Sequence, residues 1–258
     1  MGEKMDTIKR KTLIYKTEVE YGDYTLNHVL GCSHGCKYPC YAMLLKKRFG
    51  EIKDYNDWLN PRLAENYREI LIKELPRFKN KIKTLHMCFT TDPFMYGYDE
   101  IINASVDILH MIAEHDIKAS VLTKGIYPKE LYDLPKNFSF GITLISLDEE
   151  FRKSMEPGAA PYRDRIKSLM KMKELGFNTW VSIEPYPTPN IFEQDYSKIL
   201  EEVKFVDKII FGKINYNKLA TAYKDKVSFF NDLANQTIEF CNKNNIEYHI
   251  KDGTLNEK

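Results

Sequence analysis

Cysteine is scarce: five in 258 residues is too few for a disulfide scaffold in a chain this long, and the odd number leaves one unpaired. Surplus charge is also lacking. The 38 Lys and Arg oppose 37 Asp and Glu, for a formal charge of +1. That excludes the strongly basic surface of a protein held mainly by nucleic-acid phosphates, although a local basic groove stays compatible with it. Long apolar runs are missing, and no window approaches the roughly 18 consecutive apolar residues of a membrane span. The charged N-terminal stretch, with Lys4, Lys9, Arg10 and Lys11, has no apolar core of the kind a signal peptide needs. These absences together lead us to expect a chain in a reducing cytoplasm, away from membranes, where thiols stay available to metals.

What is present is ample core material, 43% hydrophobic, which rules out general disorder. Short apolar or β-branched runs bounded by turn residues predict strands over 24–30, 84–90, 118–124, 138–145, 178–185 and 208–214, with a seventh at 247–251. Between them the apolar spacing predicts amphipathic helices over 62–75, 99–116, 162–175, 196–205 and 226–244. In the second of these Ile101, Ser105, Ile108 and Ile112 form the stripe, thickened by Ile102, Val106 and Leu109; Gly176 suits a C-terminal cap of the third. Strands alternating with helices predict parallel βα units. Six of them favour an α/β fold of the partial, TIM-like (β/α)6 barrel type over a closed eightfold barrel, which takes about 250 residues without a long first connection. A doubly wound sheet is the alternative, but no Gly-rich nucleotide fingerprint follows the first strand. In either architecture the site lies at the carboxyl ends of the strands. No repeat, low-complexity tract or linker interrupts the chain. We expect one domain over 1–258, with a core at about 22–215 and a C-terminal helix and strand within 223–252.

Three of the five cysteines fall within nine residues, in Gly31-Cys32-Ser33-His34-Gly35-Cys36-Lys37-Tyr38-Pro39-Cys40-Tyr41-Ala42, at the end of the first strand. Three thiolates on one loop can converge on a metal centre. Structural zinc takes four protein ligands, usually from paired Cys knuckles. No second knuckle exists, since Cys88 and Cys241 are isolated, and His34 as a fourth ligand would compete with neighbours on both sides. An iron–sulfur cluster with three Cys-held irons and one open iron fits the count better, with zinc as the alternative.

The loop and the partial-barrel pattern resemble the radical SAM superfamily, and GCSHGC-KYP-CYA is similar to the GC-x-HGC-x-YCYA loop of its spore photoproduct lyase-like subgroup. The spacing here is C-x3-C-x3-C, one residue more than the usual C-x3-C-x2-C, with Pro39 as the addition. The resemblance implies a 4Fe–4S cluster on Cys32, Cys36 and Cys40, whose open iron chelates S-adenosylmethionine. Reductive cleavage of that cofactor then gives a 5′-deoxyadenosyl radical that abstracts hydrogen from a substrate. It further implies an oxygen-sensitive metal-binding enzyme served by a reductant such as a flavodoxin or ferredoxin.

The resemblance covers roughly 22–190 and carries over residue by residue. It places one of Tyr38 and Pro39 by the adenine, and Thr90-Thr91-Asp92 beside the methionine end, where hydroxyls and a carboxylate can receive an ammonium group. It places Lys124 near the cofactor carboxylate, Gly141 and Thr143 facing the ribose, and Ser182 and Glu184 at the mouth of the fifth strand. A strand-end turn at Asp92-Pro93 and a solvated strand-end lysine are the structural alternatives. The segment Met155-Glu156-Pro157-Gly158-Ala159-Ala160-Pro161 with Arg165-Ile166 also matches the subgroup. Residue chemistry assigns it a structural role, with Arg165 paired to Glu156 and a loop held over the site.

Spore photoproduct lyase uses a cysteine immediately before the threonine of its T-S-D sequence as a hydrogen donor. Here Phe89 holds that place, and strand alternation turns Cys88 to the opposite face, as an ordinary buried cysteine. Cys241 continues the stripe Val227, Phe230, Ala234, Ile238 and is expected in the core. Lys46-Lys47-Arg48 is expected to be a solvated helix face. Tyr96, Tyr98, Tyr186 and Phe192 follow strands and could line a pocket or simply pack. Two other functions compete with the leading one: DNA photoproduct repair, disfavoured by charge and by Cys88, and a non-catalytic zinc or iron–sulfur binding protein.

Overall fold

The structure, a computed structural model, describes residues 5–255. Two short strands, β1 (Thr7–Ile8) and β2 (Ile14–Lys16), precede β3 (Tyr24–Leu26) and β4 (Val29–Leu30). The cysteine loop then runs into α1 (Tyr41–Arg48), α2 (Tyr55–Leu59), β5 (Arg62–Ala64) and α3 (Tyr67–Phe78). From there strands and helices alternate: β6 (Leu85–Met87), α4 (Asp99–Glu114), β7 (Ala119–Thr123), β8 (Ser139–Thr143), α5 (Glu149–Met155), α6 (Tyr162–Glu174) and β9 (Asn178–Tyr186). The chain ends through α7 (Tyr196–Glu202), β10 (Lys208–Lys213), α8 (Lys218–Ala222), α9 (Lys226–Asn244) and β11 (Glu247–Ile250).

Eight strands form one sheet in the order β11-β10-β9-β8-β7-β6-β3-β2. All neighbours run parallel except the antiparallel pair β2–β3. This is a partial TIM-like barrel, open because β2 and β11 stand at its two edges. Near-continuous apolar strands such as β7 and β10 bury one face against the helices and the other inside the barrel, which is what a parallel sheet requires. Helix α4 buries Ile101, Ser105, Ile108, Leu109 and Ile112, the expected stripe. Helix α9 coincides with the predicted 226–244 and buries Phe230, Ala234 and Cys241, although Val227 turns outward at 47% exposure. The 247–251 run is present as β11, so seven parallel strands line the barrel rather than six. No helix among the described residues is long and apolar enough to cross a membrane.

Two expectations are corrected. The run 24–30 is not one strand: β4 leaves the barrel and pairs with β5, which in turn pairs with β1 in a separate three-stranded sheet. The cause is local. The Asn27 side-chain oxygen accepts from both the amide and the hydroxyl of Thr90 at 3.0 Å, fixing a bend between the two strands. The helix expected from 62 starts at Tyr67, because Arg62–Ala64 is claimed by that ladder; the Ala64 amide donates to the His28 carbonyl at 2.8 Å.

The open side is tied by side chains instead of a ladder. Lys251, just after β11, reaches Glu20 in the turn before β3 at 2.6 Å, and His249 reaches the same carboxylate at 3.3 Å. The Lys251 ammonium also lies 4.9 Å from the Tyr21 ring centroid. Lys251→Met should therefore raise hydrogen exchange across residues 17–22 and cost about 1 kcal/mol of stability, as expected for a partly buried surface ion pair. Unchanged exchange there would show that the turn is held by Tyr21 packing alone.

Candidate functional site

A cavity of about 510 Å³ opens at the carboxyl ends of the strands. One wall is the cysteine loop. The Cys32 amide donates to the Trp58 carbonyl at 2.8 Å, and the Thr91 hydroxyl to the Gly31 carbonyl at 2.6 Å. Tyr55 Oη donates to the Gly35 carbonyl at 2.8 Å, and Cys40 is the N-cap of α1. From the other side the segment after α5 braces the loop. The Lys37 amide donates to the Met155 carbonyl at 2.8 Å and the Gly158 amide to the His34 carbonyl at 3.0 Å. Gly158 has to be glycine for this close approach, since a Cβ there would collide with the Ser33 carbonyl oxygen.

His34 is buried in this loop, with both ring nitrogens engaged. The Tyr96 amide can only donate, so Nε2 accepts it at 3.3 Å, and the proton sits on Nδ1, 3.5 Å from Asp92 Oδ2. Burial holds the imidazole neutral by lowering its pKa to about 4. The ring is therefore spent on Asp92 and Tyr96, which removes it as a fourth ligand.

Cys32, Cys36 and Cys40 are free, half-buried, and line the same cavity. Burial raises the pKa of all three thiols, that of Cys36 to about 12, so without a metal they stay protonated. No group of three or more His, Cys, Asp or Glu among the described residues is placed to hold a single metal ion. Three free thiols on one cavity wall are the donor set a cluster takes, with each thiolate on a different iron.

Behind the loop lies a buried charge network. Glu156 is fully buried, with Arg165 Nη2 at 2.9 Å, Lys124 Nζ at 3.3 Å and the Tyr38 hydroxyl donating to it. Burial by itself would raise this carboxyl, but Lys124 and Arg165 outweigh it and hold the pKa at about 2. Arg165 further donates to the carbonyls of Ala160 at 2.8 Å and Thr143 at 3.0 Å. The expected Glu156–Arg165 pair is thus present, and it locks the 155–161 segment to both the cysteine loop and β8.

The remaining predicted residues are distributed around the cavity. Thr90 and Thr91 line it, each donating its hydroxyl hydrogen within the protein, to Asn27 Oδ1 and the Gly31 carbonyl. Their lone pairs remain able to accept from an ammonium group. Asp92 also lines it but is heavily engaged. Its Oδ1 accepts from Thr123 Oγ1 at 2.6 Å and the Phe94 amide at 2.9 Å, and its Oδ2 from the Lys124 amide at 2.7 Å. Lys124 Nζ reaches the cavity beside Glu156, and Tyr38 is buried against it, its ring centroid 5.8 Å from that ammonium. Thr143 and Ser182 face one another across the β8–β9 ladder and both line the cavity.

Gly141 is the exception. It pairs with Trp180, one layer deeper, and a Cβ on it would strike the indole. Gly141 leaves room for Trp180, whose indole packs near the Tyr21 and His86 rings at centroid distances of 5.2 and 6.4 Å. Glu184 lies at the far side, 3.4 Å from the Tyr21 hydroxyl and 3.7 Å from Lys251, and burial raises its pKa. Tyr186 and Phe192 pack instead of lining the cavity, Phe192 stacked on Phe151 at 4.4 Å.

The face assigned to Cys88 is also corrected. Strand β6 ends at Met87, and Cys88 adopts φ 61°, so strand alternation no longer applies and the residue lines the cavity wall. It is nevertheless 3% exposed and its thiol is occupied. The Ser105 hydroxyl donates to the Pro93 carbonyl at 2.5 Å and so accepts from His28 Nε2 at 2.9 Å; His28 Nδ1 then accepts the Cys88 thiol hydrogen at 3.3 Å. Sequence reasoning missed Glu20, Tyr21 and Lys251 at the cavity mouth. No local signal marks a pair separated by 231 positions.

The profile of the radical SAM superfamily matches residues 26–203, and the chain belongs to that superfamily. An uncharacterized protein of Acidianus two-tailed virus is 27% identical over 193 residues, 70% of this chain. The match spans only 61% of that viral protein's length. An uncharacterized protein of Methanocaldococcus jannaschii is 28% identical over 209 residues, covering 79% of this chain and 75% of that protein. Among solved structures, spore photoproduct lyase with bound AdoMet and dinucleoside spore photoproduct superposes with a TM-score of 0.68 at 13% identity, over 94% of this chain and 80% of that one. Streptococcus suis SuiB bound to S-adenosylmethionine gives 0.52 at 14% identity, over 70% of this chain and 43% of that one. At such identities these structures establish the shared fold.

Proposed function

We propose that the protein is a radical SAM enzyme in which Cys32, Cys36 and Cys40 hold a 4Fe–4S cluster and the cavity beside them receives S-adenosylmethionine. One observation carries this: three free thiols on one loop share a cavity of about 510 Å³ with Thr90, Thr91, Lys124, Thr143 and Ser182. The volume is that of a small-molecule site. Held by Cys32, Cys36 and Cys40, a 4Fe–4S cluster would supply the one-electron reduction of S-adenosylmethionine that opens radical hydrogen abstraction from a substrate. The chain's own side chains bind and orient. Thr90 and Thr91 offer lone pairs to the methionine ammonium, Lys124 offers its ammonium to the carboxylate, and Thr143 and Ser182 offer hydroxyls to the ribose. The Glu156 network keeps Lys124 charged and in place; burial works against that charge, and Glu156 more than restores it.

Anaerobic reconstitution with iron and sulfide, then dithionite and S-adenosylmethionine, should give 5′-deoxyadenosine with methionine in equal amounts. Protein that carries iron and sulfide yet leaves S-adenosylmethionine intact would overturn the proposal.

A further inference from the structure

The cysteine loop is followed at once by a surface feature that lies mostly outside the cavity: of its exposed side chains only Tyr41 also lines the cavity. Between Lys37 and Phe49 the chain carries four cations, Lys37, Lys46, Lys47 and Arg48, and no carboxylate. Lys46 pairs with Glu51 at 2.7 Å, but Lys37, Lys47 and Arg48 are exposed and have no ion-pair partner among the described residues. The same stretch holds exposed apolar side chains: Phe49 at 68%, Leu44 at 39% and Tyr41 at 38%. Helix α1 thus starts after Cys40, its N-cap, and ends at the exposed Phe49, its C-cap, directly after Lys47 and Arg48.

We infer that this face of α1 is the docking surface for an acidic, one-electron carrier protein. The inference rests on reading the cysteine loop as a redox centre. An eight-residue helix is about 12 Å long. A transient electron-transfer interface covers less than about 600 Å² per partner, a disc roughly 28 Å across. One such footprint centred on Leu44 therefore spans both the basic end of α1 and the loop from Cys36 to Cys40. The composition matches that class of partner: a small apolar centre excludes water, and rim cations steer an acidic surface into register. A nucleic acid fits less well, since tight phosphate binding takes about 6–10 contacts and the chain as a whole is near neutral. The transfer makes and breaks no bond. The carrier gives up one electron, and the group held by the three thiols gains it.

The test titrates an oxidised acidic flavodoxin into the reconstituted protein, reading heat or flavin fluorescence at low and at moderate salt. Wild type should bind saturably and weaken at least tenfold with salt. Lys47→Glu/Arg48→Glu should raise the Kd at least tenfold, and Phe49→Ser should raise it severalfold with little change in salt dependence. Lys198→Glu/Lys204→Glu, which alters exposed cations of the α7 region, should stay within twofold. Dithionite-driven 5′-deoxyadenosine formation should be the same in wild type and in Lys47→Glu/Arg48→Glu.

A flavodoxin that does not bind wild type, or binds the charge-reversed variant equally well, would overturn the docking surface. So would displacement of the flavodoxin by a single-stranded oligonucleotide that binds more tightly. Failure of wild type to cleave S-adenosylmethionine with dithionite would instead count against the enzyme proposal, while the titration would still decide the docking face.

Discussion

Glu156→Ala is expected to cost about 3–5 kcal/mol of unfolding free energy, the range for breaking a buried ion pair from one side. In a chain of this size that lowers the Tm by roughly 10 °C. Glu156 and Arg165 are both fully excluded from solvent, and the carboxylate also collects Lys124 and Tyr38. Removing it strands the guanidinium among carbonyls that satisfy only part of its donor fork, and it leaves Lys124 without its counter-charge. Glu156→Leu combined with Arg165→Met should recover much of the loss, because an apolar pair carries no desolvation penalty. Cluster loading should still fall in that double variant, since Lys124 and the 155–161 brace lose their anchor. A Glu156→Ala change of less than 1 kcal/mol would mean that water enters the network and screens it.

The same carboxylate gives a pH signature. Its folded pKa of about 2 lies below the ordinary 4.5. The stability it contributes is therefore fully present above about pH 4.5 and lost as pH falls toward 2. Wild type should lose stability across that acid window more steeply than Glu156→Gln, as followed by urea midpoints at successive pH values.

Cys36→Ala should abolish cluster assembly: iron and sulfide fall well below half of wild type, and 5′-deoxyadenosine falls below detection. On the proposed ligand set each of the three thiols takes a different iron, and neither remaining cysteine is placed to step in. Cys88 is committed to His28, and Cys241 lies buried in α9. Cys241→Ala should in contrast keep the cluster and cost only about 1–2 kcal/mol for the small void. Retention of both cluster and cleavage in Cys36→Ala would refute the ligand assignment.

The sequence shows these features unevenly, for physical reasons. The cysteine loop is legible because all its chemistry sits within nine residues. Strands β7, β9 and β10 and helix α9 are legible because their apolar periodicity is unbroken. The bend after Leu26 is not, because a single Asn27 side chain bonded to Thr90 decides it. The face of Cys88 was misjudged because alternation holds only while backbone stays extended, and φ turns positive there. The resemblance places Gly141 toward the ribose, but no local pattern shows that it stands opposite Trp180, whose indole a Cβ there would strike. The tie across the open edge depends on the fold bringing Glu20 to Lys251, which no local pattern encodes.

The most direct measurement is a Mössbauer spectrum of the 57Fe-reconstituted protein with and without S-adenosylmethionine. Three thiol-held irons and one open iron predict that the cofactor shifts one iron site in four and leaves the other three unchanged. Four sites that stay equivalent on adding the cofactor would contradict the account, as would a preparation that takes up zinc and no sulfide.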